Sequence, residues 1–204
     1  MNISKRTFGN KLFWINKRLF DIFVCLLLIP LLFIFSIILL FGNYFFNSGS
    51  LFFIQDRMGK NCNVFSAIKF RTMKDVKEIT RKYDDPIEVN RITFFGKFLR
   101  KRRIDELPQI LNVLKGEMSL IGPRPDYYIH ALEYVKCVKG YRERHIIWPG
   151  ITGLSQIKLG YSEGREATEK KVILDNYYIH NVGYVIEFKI IINTLIAIIA
   201  GKGK

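Results

Sequence analysis

From Ile22 to Gln55 the chain runs for 34 residues without one charged side chain, and residues 22–41 are almost wholly apolar. A stretch of this kind meets lipid rather than water. Lys5, Arg6, Lys11, Lys17 and Arg18 precede it. A secretory signal has a shorter apolar core and a small-residue cleavage site; neither is present, so the segment reads as retained. Pro30 divides it into two arms, residues 19–29 (interrupted by Asp21) and 31–46. Proline removes a backbone donor and clashes with the preceding turn, which kinks or breaks a helix. Basic residues stand before the run and a strongly basic remainder stands after it. A straight crossing would put one of these groups on the wrong side by the positive-inside tendency. The favoured expectation is therefore a helix that enters the membrane, bends at Pro30 and returns to the same face. A single-pass anchor is the alternative. On this reading residues 1–48 are a membrane-associated re-entrant segment and residues 49–204 a cytosolic, interfacial domain.

The 32 basic side chains exceed the 18 acidic ones, a net charge of +14 over 204 residues. Such an excess attracts nucleic acid, an anionic membrane surface or phosphorylated substrates. With 49% hydrophobic and 25% charged residues the chain is neither a disordered tail nor a many-span membrane protein. Cys25, Cys62 and Cys137 form no disulfide framework, and no spacing of Cys and His suits zinc.

Beyond the apolar run, residues 51–54 and 63–69 read as the two strands of a hairpin turning through 58–62. Residues 74–90 are polar and charge-rich, helix plus loop. In Phe94–Arg103, aromatic residues alternate with cations, as in a helix lying at a membrane surface. A nucleic-acid-binding or merely solvated face has the same composition. Leu107, Ile110, Leu111 and Leu114 repeat at helical spacing, with Pro108 in the first turn and Gly116 as the C-terminal cap. Residues 184–200 are again apolar and are expected to pack or to lie at the interface.

Chemistry concentrates at Asp105 and Glu106, placed by this pattern at a helix start, where backbone N–H groups and the helix dipole favour anions. Arg100, Arg102 and Arg103 stand just upstream and can hold phosphate oxygens. A carboxylate beside a phosphate needs arginines or a divalent cation to cancel the repulsion. The pair thus suits phosphoryl transfer, with aspartate as nucleophile or metal ligand; equally, Asp105 could be a helix cap and Glu106 a dipole partner. In Pro123-Arg124-Pro125 the flanking prolines stiffen the loop that presents Arg124. Lys69 and Arg71 alternate with apolar neighbours and would share one strand face. Trp148-Pro149-Gly150-Ile151-Thr152-Gly153 reads as a turn.

Arg100, then the run 104–109 (Ile-Asp-Glu-Leu-Pro-Gln), then 112–125 (Asn-Val-Leu-Lys-Gly-Glu-Met-Ser-Leu-Ile-Gly-Pro-Arg-Pro), resemble the bacterial sugar transferases, the small monotopic phosphoglycosyl transferases. Residues 69–73, 149–153 and Leu174-Asp175 with Tyr177-Tyr178 match in the same order. The likeness covers the chain from about Lys17 onward. Departures are Ile29 where the family often has serine, Met58 for a frequent proline, and the stretch 154–160.

The resemblance implies an α+β, mainly helical fold with a re-entrant membrane helix–break–helix, interfacial amphipathic helices and a small β-hairpin. Residues 49–204 would be the catalytic domain, at the cytosolic face of a bacterial inner membrane with its anionic lipids. A UDP-sugar and undecaprenyl phosphate would be the substrates and Mg2+ the cofactor, held by Asp105 and Glu106, with no nucleic-acid partner. Asp105 would attack the β-phosphate and release UMP, and Glu106 would complete the pair. Lys69, Arg71, Arg100 and the Pro123, Arg124, Pro125 loop would bind substrate. Two other functions fit the composition: a basic membrane-anchored binder of nucleic acid or anionic lipid, and a metal-dependent glycosyltransferase that leaves the phosphate behind.

Overall fold

The computed structural model describes residues 10–46, 49–74, 85, 88–160 and 164–201. The region expected as helix plus loop, residues 74–90, lies largely outside them.

Asn10 opens the first helix, its side chain accepting from the Phe13 N–H at 3.0 Å. That helix, α1, is Lys11–Phe46, and it runs through Pro30 without interruption. The expected break at Pro30 is thus corrected. The reason lies in packing: Cys25, Leu28, Leu32, Phe35 and Leu39 follow helical spacing across the proline and join one apolar core. A continuous seam on both sides of Pro30 holds the helix where one lost hydrogen bond would weaken it. The other faces are bare, with Leu19, Phe23, Leu27, Phe33 and Phe41 all at least 60% exposed.

The hairpin forms as expected and is longer: β1 (Phe52–Met58) pairs antiparallel with β2 (Val64–Phe70), register Phe53↔Lys69 and Arg57↔Phe65. Ala67 and Phe65 face the core shared with α1. Thr93 caps α2 (Phe94–Lys101) by accepting the Gly96 N–H at 2.9 Å. This short helix keeps Phe94 91% exposed and buries Leu99, an amphipathic surface helix as expected.

A 3₁₀ turn, Ile104–Glu106, separates α2 from α3 (Gln109–Lys115). The two carboxylates therefore occupy their own turn rather than the first turn of the next helix. Pro108 stands at the N-cap position of α3, with no side-chain capping bond. The stop at Gly116 is as expected: φ of 85° lets its N–H reach back to the Asn112 and Val113 carbonyls.

After β3 (Ser119–Ile121) come α4 (Tyr128–Cys137), a 3₁₀ turn Arg142–His145, and β4 (Gly150–Thr152). β4 runs parallel to β3, so the expected turn at 149–153 contains a strand. Glycine permits this: a Cβ on Gly150 would lie 2.1 Å from the Gly122 nitrogen, and one on Gly153 would lie 2.2 Å from the Gly122 oxygen. The chain closes with α5 (Leu154–Leu159), α6 (Arg165–His180) and α7 (Tyr184–Ile199). In α7 Ile190 is buried while Val185, Phe188 and Ile199 stay exposed, so the helix packs by one stripe.

Candidate active site

Arg103, at a left-handed φ of 56°, swings the chain out of α2 and into the turn that carries the carboxylates. Asp105 is 8% exposed and Glu106 2%. Opposite them stands β2, pinned to α3 by one fully buried side chain. Asn112 accepts the Ile68 N–H at 3.0 Å and donates to the Ser66 carbonyl at 2.8 Å. This fixes the strand so that Lys69 Nζ meets Glu106 Oε1 at 3.0 Å. Arg124 Nη2 donates to the same oxygen, and Arg124 Nη1 lies 3.5 Å from the Ile151 carbonyl of β4. Among the described residues the Asp105 carboxylate accepts no hydrogen bond.

The Pro123-Arg124-Pro125 loop is tied at each residue. The Pro123 carbonyl accepts from Gly150 N at 3.0 Å, and the Pro125 carbonyl accepts from Arg57 Nη1 at 3.1 Å. Between them, the Arg124 carbonyl accepts from Arg144 Nη2 at 2.6 Å. Arg144 is 1% exposed. Its guanidinium also pairs with Asp175 on α6 at 2.7 Å and with Asp126, the residue after the loop. Asp126 in turn takes the Tyr141 hydroxyl at 2.8 Å and the Lys171 ammonium. A buried charge of this kind persists only when paired and hydrogen-bonded; here the pairing holds Arg124's backbone in place.

The carboxylates titrate apart. Burial pushes the Glu106 carboxyl up, but Arg124 and then Lys69 more than offset it, so Glu106 stays ionised well below the usual range. For Asp105, burial and then the adjacent Glu106 charge raise the pKa, and Lys69, Arg100 and Arg124 counter them only in part. The expected helix start would have kept both groups ionised alike; the buried turn makes them unequal. Burial lowers Lys69 to about 8 despite its carboxylate neighbours.

Arg100 places Nε 2.9 Å from the Thr72 hydroxyl, and its terminal nitrogens donate to no described residue. Two other expected phosphate ligands are engaged elsewhere. Arg102 Nη1 caps α7 through the Ile199 carbonyl at 2.9 Å. Arg71, beyond the end of β2, turns to Ser50 at 2.6 Å and 2.9 Å, so it does not share the Lys69 contact. The structure thus unites Asp105, Glu106, Lys69 and Arg124, sets Arg100 within electrostatic reach of Asp105, and frames Arg124 between Pro123 and Pro125.

The model of one protein family, described as bacterial sugar transferase, matches residues 12–201, nearly the whole chain and the whole of this site. The chain belongs to the bacterial sugar transferase family. Its similar curated relatives include the UDP-N-acetylgalactosamine-undecaprenyl-phosphate N-acetylgalactosaminephosphotransferase of Aeromonas hydrophila, 37% identical over 92% of this chain and 44% of that protein. The exopolysaccharide production protein PSS of Rhizobium leguminosarum bv. phaseoli is 35% identical over 92% of this chain and 97% of its own length. A UDP-glucose:undecaprenyl-phosphate glucose-1-phosphate transferase of Klebsiella pneumoniae is 35% identical over 88% of this chain. The sugar transferase described here spans 39% of that Klebsiella protein and 44% of the Aeromonas one, but nearly all of the Rhizobium one.

Asn112 and Thr72 lie inside the matching motifs but drew no role from the sequence, and Asp126 and Arg144 lie outside those motifs. Asp126 directly follows the Pro-Arg-Pro loop, and its position was the available signal. Arg144 lies 18 residues from Asp126 and 31 from Asp175, separations that leave no periodic trace.

Proposed function

We propose that the chain transfers a sugar phosphate from a UDP-sugar to undecaprenyl phosphate at a membrane surface, through a covalent bond to Asp105. One observation carries the reading: in a buried pair of carboxylates, Glu106 is neutralised by Lys69 and Arg124, while Asp105 accepts no hydrogen bond among the described residues. A desolvated oxygen without hydrogen bonds retains its nucleophilicity.

In the first step an Asp105 oxygen attacks the β-phosphorus of the UDP-sugar. The bond from that phosphorus to the bridging oxygen breaks, and UMP leaves with the electron pair. In the second step an oxygen of the lipid phosphate attacks the same phosphorus. The acyl-phosphate bond between Asp105 and phosphorus breaks and the carboxylate is restored. Arg100, with its terminal nitrogens open, binds diphosphate oxygens and offsets the charge that would repel Asp105. Lys69 and Arg124 keep Glu106 ionised and fixed, so that it orients the pair rather than competing as a nucleophile.

Magnesium fits this donor set. The ion typically takes one or two carboxylates and completes its shell with phosphate oxygens and water. Among the described residues no group of three or more His, Cys, Asp or Glu side chains gathers, so phosphate oxygens and water would have to complete the shell. Asp105 and Glu106 would hold it, and when bound it supplies charge neutralisation to the diphosphate.

The names of the relatives favour undecaprenyl phosphate as acceptor and exopolysaccharide synthesis as the setting. The apolar face of α1 favours a membrane, with the body on the cytosolic side, where UDP-sugars are found.

The test is product release from the purified protein supplied with undecaprenyl phosphate and a panel of UDP-sugars. UMP is expected. UDP would indicate transfer of the sugar alone, and neither product would indicate a binding protein. Asp105→Asn should lose turnover by at least about 10³-fold while melting as the wild type does. With labelled donor and no acceptor, the wild type should retain label that hydroxylamine releases. Near-normal turnover in Asp105→Asn would refute the nucleophile.

A further inference from the structure

Arg100 could anchor a diphosphate only if its long side chain were held in one geometry, and Thr72 holds it. Thr72 lies two residues beyond the end of β2 and is 6% exposed. Its hydroxyl accepts from Arg100 Nε at 2.9 Å, and its carbonyl accepts from Thr93 N at 3.1 Å. An isolated bridge between Met73 and Ile92 continues this seam. Gly96 seals it: a Cβ there would lie 2.1 Å from the Thr72 oxygen, so α2 crosses directly over the Thr72 backbone. Arg100 follows Gly96 by four residues and so shares that face of the helix. The arrangement is one seam in which Thr93 caps α2, Gly96 lets it close, and Thr72 receives the Arg100 side chain from its last turn.

We propose that Thr72 is a positioning residue: its hydroxyl takes the Nε–H of Arg100 and leaves the edge formed by the two terminal nitrogens aimed at the diphosphate of the donor. A guanidinium is a rigid planar fork, so fixing Nε fixes the direction of the opposite edge. The edge left over is the one that binds two phosphate oxygens at once. Lys69 and Arg124 spend nitrogens on Glu106, whereas Arg100 spends Nε on a neutral hydroxyl and keeps its charge for the ligand. The proposal rests on the sugar-phosphate reading only in naming the diphosphate as that ligand.

Calorimetry with UDP on the full chain in detergent micelles tests it without requiring turnover, and steady-state kinetics with the UDP-sugar that releases UMP adds a KM and kcat. Thr72→Val removes the acceptor at nearly constant volume and should weaken UDP binding and raise donor KM by about tenfold, the size of one hydrogen bond to a charged group. The KM for lipid phosphate and the melting temperature should stay near wild type. Thr72→Ser, which retains the hydroxyl, should restore binding to within about threefold of wild type. In an Arg100→Lys background, which has no Nε donor, Thr72→Val should add less than about twofold, because the two changes remove the same bond. If Thr72→Val does not fold, Thr72→Ala, which leaves space rather than filling it, serves the same comparison. UDP binding unchanged by loss of the hydroxyl, or an undiminished further loss in the Arg100→Lys background, would overturn the assignment. Absence of UMP release from the wild type would overturn the functional reading instead, and the UDP binding data would still judge the Thr72–Arg100 coupling.

Discussion

Asp105 and Glu106 are neighbours in sequence with opposite electrostatic fates, and that difference sets the expected pH response. On the proposed mechanism Asp105 must be ionised to attack, and burial beside Glu106 raises its pKa. The acid limb of kcat/KM should therefore lie above the roughly 3.9 of an ordinary aspartate. Glu106→Gln removes a like charge and frees Lys69 and Arg124 to act on Asp105, so the residual activity of that variant should show its acid limb at lower pH. On the alkaline side Lys69 loses its proton near pH 8, and with it the pairing that holds Glu106. The rate should fall above that pH in the wild type. Lys69→Arg keeps its charge to far higher pH and should extend the plateau by at least about two units. A flat alkaline profile in the wild type, or an unmoved limb in Lys69→Arg, would show that Lys69 does not govern it.

The elements that aim Arg124 meet at glycines. Gly122 lies against both Gly150 and Gly153, with backbone where a side chain would be. The Ile151 carbonyl between these two glycines anchors Arg124 Nη1 and also accepts from Gln156 Nε2 at 3.2 Å. Gly153→Ala should force β3 and β4 apart, costing about 1–3 kcal/mol of stability. At about 2–4 °C per kcal/mol for a chain of this size, the melting temperature falls by several degrees. Donor turnover should fall further than stability predicts, because Arg124 moves with the strand; wild-type melting and turnover together would mean that the crossing is looser than described. This tightness was only half legible in sequence. Pro149–Gly153 announces a turn through its proline and glycines, yet the strand within it exists because Gly122, 28 residues earlier than Gly150, packs onto it. The same holds at the site. Lys69 and Arg124 could be picked out locally, one by strand alternation and one by flanking prolines, and both reach Glu106. Arg144 could not, because its meaning depends on Asp126 and Asp175 arriving from two other elements. Arg71 shows the converse: the alternation is real, but the strand ends at Phe70, and beyond it the side chain turns to Ser50.

At the scale of the molecule the question is how a helix of 36 residues sits against a bilayer whose apolar core needs about 20. α1 stays attached to the body along nearly its whole length. Near its start Lys17 pairs with Glu187 of α7 at 2.7 Å, Arg18 donates to the Val113 carbonyl at 2.7 Å, and Asp21 accepts from the Ser119 hydroxyl at 2.7 Å. Further along, Cys25, Leu32 and Leu39 enter the core of the hairpin and α3. At its far end a Cβ on Gly42 would come within 3.4 Å of the Phe95 ring. A helix bound to one body before and after Pro30 keeps both ends on the side of that body. The faces turned away are apolar over an extent that soluble monomers rarely leave bare. Lipid covering those faces, with the body remaining on one side of the bilayer, satisfies both facts, as a helix that dips into one leaflet would. The prediction concerns single cysteines placed at Asn10 and Ser50 in a chain whose Cys25, Cys62 and Cys137 are replaced by alanine. In inside-out vesicles a membrane-impermeant maleimide should label both; in intact spheroplasts it should label neither. Labelling of one position from each side would mean a helix that crosses the bilayer, and the contacts from Lys17 to Gly42 could not all persist in such a chain.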